Sequence, residues 1–295
     1  MKQPVFTGAG VAIITPMNAD GSINYPELGR IIDDQIAHGT DAIIICGTTG
    51  ESATLTHEEH SDCIRFAVQH TNHRVPVVAG TGSNDTSFAI ELSKQAEADG
   101  ADALLLVSPY YNKTSQAGLV AHYTAIADAV NIPCILYNVP SRTGVNILPA
   151  TLAKLSKHPN INAVKEASGN ISQVAEIAAL CGDDLIIYSG NDDQIVPLLS
   201  LGAKGVISVL SNVAPQYTHD LCEQWFQGNH TKSLEMQLHA LPLCHALFED
   251  VNPIPIKWAM GRLGWNVGPL RLPLVMPSQD VQTSLEQTMT ALGLL

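Results

Sequence analysis

Eight short apolar runs punctuate the chain up to residue 209: 11–15 (VAIIT), 42–46 (AIIIC), 75–79 (VPVVA), 103–107 (ALLLV), 133–137 (PCILY), 161–165 (INAVK), 185–189 (LIIYS) and 205–209 (GVISV). Each is nearly continuous rather than alternating, as expected of a strand covered on both faces. Between them the apolar spacing changes to a helical period, near 25–38, 57–70, 86–98, 116–129, 149–156, 172–181, 193–201 and 215–227. Gly100, Gly182 and Gly202 follow three of these segments, where a left-handed C-terminal residue is expected. Thr56-His57-Glu58-Glu59 has the spacing of a capping box and predicts a helix start.

Eight strand–helix units predict an α/β fold of the (β/α)8 TIM-barrel type. A doubly wound open sheet is the alternative, and it is weakened because no GxGxxG follows the first strand. After residue 228 only helical patterns remain, near 231–249, 255–264 and 279–293. The expected organisation is a catalytic barrel, 1–228, followed by a C-terminal helical subdomain, 229–295.

The net charge of −13, from 15 basic and 28 acidic residues, argues against nucleic acid or an anionic membrane surface as partner. Any anionic substrate must then be held by local donors. Cysteines stand at 46, 63, 134, 181, 222 and 244, without a CxxC pair. This suggests reduced thiols and a cytoplasmic protein rather than a zinc or redox motif. The N-terminal MKQPVFTGAGVAIITP fits neither a signal peptide nor a membrane span.

In a parallel barrel the active site forms at the C-terminal ends of the strands. The unusual polar residues of this chain gather there. Gly47-Thr48-Thr49-Gly50-Glu51 follows the second run, and Pro109-Tyr110-Tyr111-Asn112 the fourth. Tyr137 ends the fifth, with Ser141-Arg142-Thr143-Gly144 close behind; Lys165 ends the sixth, and Gly190-Asn191-Asp192-Asp193 follows the seventh. A free lysine, with a reference pKa of ~10.4, is a poor nucleophile at neutral pH. Desolvation at an apolar strand end lowers that pKa and makes a Schiff base feasible. The ordinary alternative is a lysine that snorkels into water. Strand alternation places Ala163 and Ile161 inside the barrel with Lys165, and turns Glu166 toward the helices. In the same way an inward Tyr137 brings Ile135 inward and turns Cys134 outward.

The GTTG turn exposes backbone N–H groups that can cradle a carboxylate or phosphate, although it lacks the lysine of a nucleotide loop. Taken alone it reads first as an ordinary βα turn, since short Gly-rich turns are common. Arg142 reads as a carboxylate clamp or a surface ion pair. Tyr110 and Tyr111 are packing aromatics or functional groups. His57 and His60 share a helix face, but HEEH is not HExxH and no third ligand is spaced to join them, so no metal is expected.

Taken together, GTTGESATL, PYYNKTSQ, LYNVPSRTG, AVKEASGN, SGND and NPIPIKWAMGRLG resemble, in that order, the dihydrodipicolinate synthase family of pyruvate-dependent class I aldolases. The resemblance runs from about residue 5 to the C-terminus. It implies condensation of pyruvate with L-aspartate 4-semialdehyde, with no cofactor and no metal. By the same resemblance Lys165 is the Schiff-base lysine, and Tyr137, Thr48 and Tyr111 form a proton relay. Thr49 takes the pyruvate carboxylate, Arg142 holds the semialdehyde carboxylate, and Gly190 and Ile207 line the pocket. Tyr111 is implied to cross a dimer interface within a homotetramer, a dimer of dimers. Ser52, Ala53, His57, His60, Asn84 and Tyr110 match an allosteric lysine site, where Phe88 replaces a glutamate. The rival readings are a sialic acid or keto-deoxy-sugar lyase of the same superfamily, and a non-catalytic barrel scaffold.

Overall fold

The computed structural model describes residues 2–295. Eight strands run parallel in sequence order: β1 (Gly8–Ala12), β2 (Ala42–Ile45), β3 (Val77–Gly80), β4 (Ala103–Val107), β5 (Cys134–Asn138), β6 (Ile161–Glu166), β7 (Ile186–Ser189) and β8 (Gly205–Ser208). They close into a barrel in which β8 pairs with β1. Helices α1 (Tyr25–Ala37), α2 (His57–Thr71), α3 (Thr86–Ala98) and α4 (Gln116–Asp128) cover the first half. The second half carries α5 (Pro140–Thr143), α6 (Pro149–Leu155), α7 (Ile171–Cys181), α8 (Ile195–Ser200) and α9 (Pro215–Phe226). Then come α10 (His230–Ala246), α11 (Ile254–Arg262) and α12 (Gln279–Ala291). The continuous apolar runs make this fold, because each strand buries one face inside the barrel and the other under helices.

Two details depart from the sequence reading. Strand β1 begins three residues earlier than the apolar run, at Gly8. Here the barrel closes by direct backbone approach, since a Cβ added at Gly205 would lie 1.9 Å from the Gly8 carbonyl oxygen. Glycine is required where backbones touch, and its low strand propensity hides the strand from a pattern search. The second departure is in β6. Cys134 pairs with Ile161 and Ile135 with Ala163, so Asn162 is an extra, bulged residue. The bulge inverts the alternation on its N-terminal side. Ile161 therefore packs under the helices rather than inside, whereas Ala163 packs inside as expected.

The N-terminal end of the barrel is filled by the start of the chain. Phe6 stacks on Tyr188 with ring centres 4.4 Å apart. The Tyr188 hydroxyl donates to the Phe6 carbonyl at 2.7 Å and accepts from the Phe6 N–H at 3.1 Å. At the other end, the C-terminal segment is tied to the turn after β2. Lys257, from α11, donates to Glu51 at 2.6 Å and to the Pro269 carbonyl at 2.8 Å. Arg271 reaches Glu59 in the first turn of α2, whose capping box forms as its spacing predicts.

Candidate active site

A cavity of about 820 Å³ opens at the C-terminal ends of the strands. Thr48, Thr49, Tyr137, Arg142, Lys165 and Gly190 all line it. Tyr137 and Lys165 are register partners on β5 and β6, which sets the amine over the phenol: Nζ lies 4.3 Å from the centre of the Tyr137 ring. Lys165 is 5% exposed, and no hydrogen bond or ion pair engages its amine among the described residues. Burial, helped by the positive charge of Arg142, lowers its pKa to about 8, against the pull of Asp192. The same burial raises the Tyr137 phenol, while Arg142 and the Thr48 hydroxyl act the other way. Gly190 is fitted to this arrangement, because a Cβ there would approach the Ala167 Cβ to 2.6 Å and the Lys165 stem to 3.2 Å.

Glu166 turns away from the amine, as alternation requires. It accepts hydrogen bonds from Asn138 at 2.9 Å and from the Ser168 N–H at 2.7 Å. In the GTTG turn, the carbonyls of Gly47 and Thr48 accept from Gly50 and Glu51. Among the described residues the Thr48 and Thr49 N–H groups have no protein partner, so they are free to meet an anion. Arg142 donates through Nη2 to the backbone carbonyl of Asn252 at 3.2 Å. An amine shifted toward its neutral form can attack a carbonyl carbon, and adjacent hydroxyls can carry the protons.

The remaining expected residues are dispersed. Ile207 is fully buried in the barrel interior and is not part of the cavity lining. Tyr111 has a positive φ of 68° and is 91% exposed, outside its own cavity. Ser52, Ala53, His57, His60, Phe88 and Tyr110 line a second cavity of about 470 Å³. It shares Thr48, Tyr137 and Arg142 with the first. Asn84 lies elsewhere, in a separate recess with Asn112 and His122. His60 uses Nε2 on the Gly80 carbonyl at 2.8 Å, and burial lowers its pKa.

Four residues around the site escaped sequence reasoning. Asp192 was visible only as part of a strand-end cluster. It is buried, with one carboxylate oxygen accepting from the Val209 and Leu210 N–H groups at 2.9 Å and the other without a partner. Burial raises its pKa, and the Lys165 charge is among the influences that hold it down. Asn252 and the Glu51–Lys257 pair depend on the C-terminal segment folding back over the barrel. Asn252 and Lys257 lie in the NPIPIKW string and Glu51 in GTTGESATL, and neither string names a partner.

The chain matches the dihydrodipicolinate synthetase family over residues 5–292. A 4-hydroxy-tetrahydrodipicolinate synthase of Lachnoclostridium phytofermentans is 57% identical over 99% of both chains. A solved dihydrodipicolinate synthase superposes with a TM-score of 0.96 at 43% identity, covering 98% of this chain and 100% of its own. The enzyme of Cyanidioschyzon merolae, solved with lysine bound, has a TM-score of 0.96 at 41% identity, covering 99% of this chain and 100% of its own. Barrel, site and relatives agree: the chain belongs to the dihydrodipicolinate synthetase family.

Proposed function

We propose that this chain condenses pyruvate with L-aspartate 4-semialdehyde to give 4-hydroxy-tetrahydrodipicolinate, the first committed step of diaminopimelate and lysine biosynthesis. The observation that carries the reading is a buried lysine amine, without an anionic partner, held over a tyrosine ring. The Lys165 amine attacks the ketone carbon of pyruvate, and water leaves to give an iminium. The iminium is an electron sink, so a methyl proton is lost and an enamine forms. The enamine carbon attacks the aldehyde of the second substrate. That substrate's own amine then displaces Lys165 and closes the ring. Tyr137, Thr48 and Tyr111 carry the protons, Thr49 and its loop hold the pyruvate carboxylate, and Arg142 holds the second carboxylate. Gly190 forms the wall beside the Lys165 stem in this reading, and Ile207 lies beneath it in the barrel interior. Borohydride reduction in the presence of pyruvate tests it. A reduced pyruvyl adduct on Lys165 is expected, and an unmodified chain would overturn the reading.

The proposal extends to assembly: a homotetramer built as a dimer of dimers, with Tyr111 serving the partner's site. A tyrosine 91% exposed at a strained backbone position supports this. Sedimentation should give a tetramer, and a monomer with full activity would refute it. The barrel, 1–228, and the C-terminal helical subdomain, 229–295, are proposed as its two parts, since α9 ends at Phe226. Among the described residues no helix is long and apolar enough to cross a membrane. The six cysteines are free and buried, which supports a cytoplasmic setting.

Feedback by L-lysine is proposed to be weak or absent. Phe88 stands edge-on to His57 at 5.7 Å where a carboxylate would be needed for the ligand's ammonium. Loss of such a partner weakens binding by about 1 to 3 kcal/mol. Titration of activity with L-lysine checks this, and strong inhibition at micromolar lysine would contradict it.

A further inference from the structure

We infer that Asn252 is a positioning residue that aims the Thr49 hydroxyl proton at the first substrate's carboxylate. The inference rests on the assignment of Thr49 made above and deepens it. Asn252 lies between α10 and α11, is buried, and lines both cavities. Its Nδ2 donates to Thr49 Oγ1 at 3.0 Å, across 203 positions of sequence. A hydroxyl has one proton to give and two lone pairs. With a lone pair occupied by the amide, the Thr49 proton remains for a ligand, beside the free Thr48 and Thr49 N–H groups.

The amide could in principle present its oxygen to Thr49 instead. The hydroxyl would then donate to Asn252 and be lost to the substrate. That orientation would leave a buried N–H donor unpaired. The observed one leaves only the Asn252 Oδ1 acceptor unpaired. Orphaned buried donors are rarer than under-satisfied acceptors, which favours the observed direction. The same residue's backbone carbonyl accepts from Arg142, so a side-chain substitution changes the Thr49 contact and retains the Arg142 contact.

Asn252→Asp separates the two. A carboxylate of the same shape can only accept, and it captures the Thr49 proton. The half-saturating pyruvate concentration for borohydride trapping should rise about tenfold, the equivalent of one lost hydrogen bond. The KM for the semialdehyde should move less than about twofold. In a Thr49→Val background, Asn252→Asp should add less than about twofold, because the proton it acts on is gone. Independent, multiplicative effects of the two substitutions would mean that charge repulsion or general disruption is at work, and the inference fails. An equal rise for both substrates, with Asn252→Ala behaving the same way, also overturns it. If Thr49→Val binds pyruvate normally, the Thr49 assignment falls together with this one. If Thr49→Val is impaired while Asn252→Asp is normal, only the role of Asn252 is lost.

Discussion

Among the described residues, two lysines lie almost wholly out of water, and they are kept there by opposite means. Lys257 is 1% exposed and spends its ammonium on Glu51 and a backbone carbonyl. Burial draws its pKa down, and Glu51 pushes it back. Lys165 is 5% exposed and has no such contact; a phenol ring lies beneath its amine and Arg142 adds to its discomfort. A buried charge given a partner becomes a structural tie. A buried amine denied one becomes a base and a nucleophile. The difference is made by neighbours, not by depth.

The sharpest way to break this contrast is Lys165→Met. Turnover should fall by at least about a thousandfold, with no pyruvate adduct after borohydride. The fold should gain stability. The amine's pKa is about 8 in the folded state against a reference of 10.5, so below pH 8 the folded chain carries a penalty on the order of 3 kcal/mol. Unfolding curves of wild type and variant should converge as pH rises from 8 to 10.5, the range over which the unfolded chain holds a proton that the folded chain has released.

Glu51→Gln tests the opposite member. It leaves the Lys257 charge buried beside a neutral amide and should cost about 3 to 5 kcal/mol in denaturant unfolding. A cost near zero would show that Lys257 is held by its carbonyl contact alone. Asp192→Asn works on Lys165 from a distance. Removing that negative charge should move the acid limb of pyruvate-imine formation to lower pH, since Asp192 raises the Lys165 pKa. An unmoved limb would mean that Asp192 serves only the Val209 and Leu210 amides. The smallest effect is expected for Thr56→Ala, which removes a helix cap that touches neither lysine and should cost about 1 kcal/mol without altering the pH profile.

Much of this was legible before any coordinates. Strands buried on both faces announce themselves as unbroken apolar runs, so the barrel could be read directly, as could the strand-end rim where Thr48, Tyr137, Arg142 and Lys165 meet one cavity and the outward turn of Glu166. The bulge at Asn162 was not legible, because INAVK gives no local sign that one residue is surplus to its neighbour's register. Nor were the ties at Asn252 and Lys257, which join positions more than 200 residues apart. A pattern of apolar spacing reports which face of an element is covered. It carries no information about which polar group will be waiting on the far side of the molecule.

The stopper of Phe6 and Tyr188 fills the N-terminal end of the ring of strands, opposite the cavity at its C-terminal end. In the proposed reaction a molecule bound at Lys165 is met from the cavity side. The order then follows from the chemistry of that reaction: the keto acid must be joined to the lysine before its enamine can meet the aldehyde.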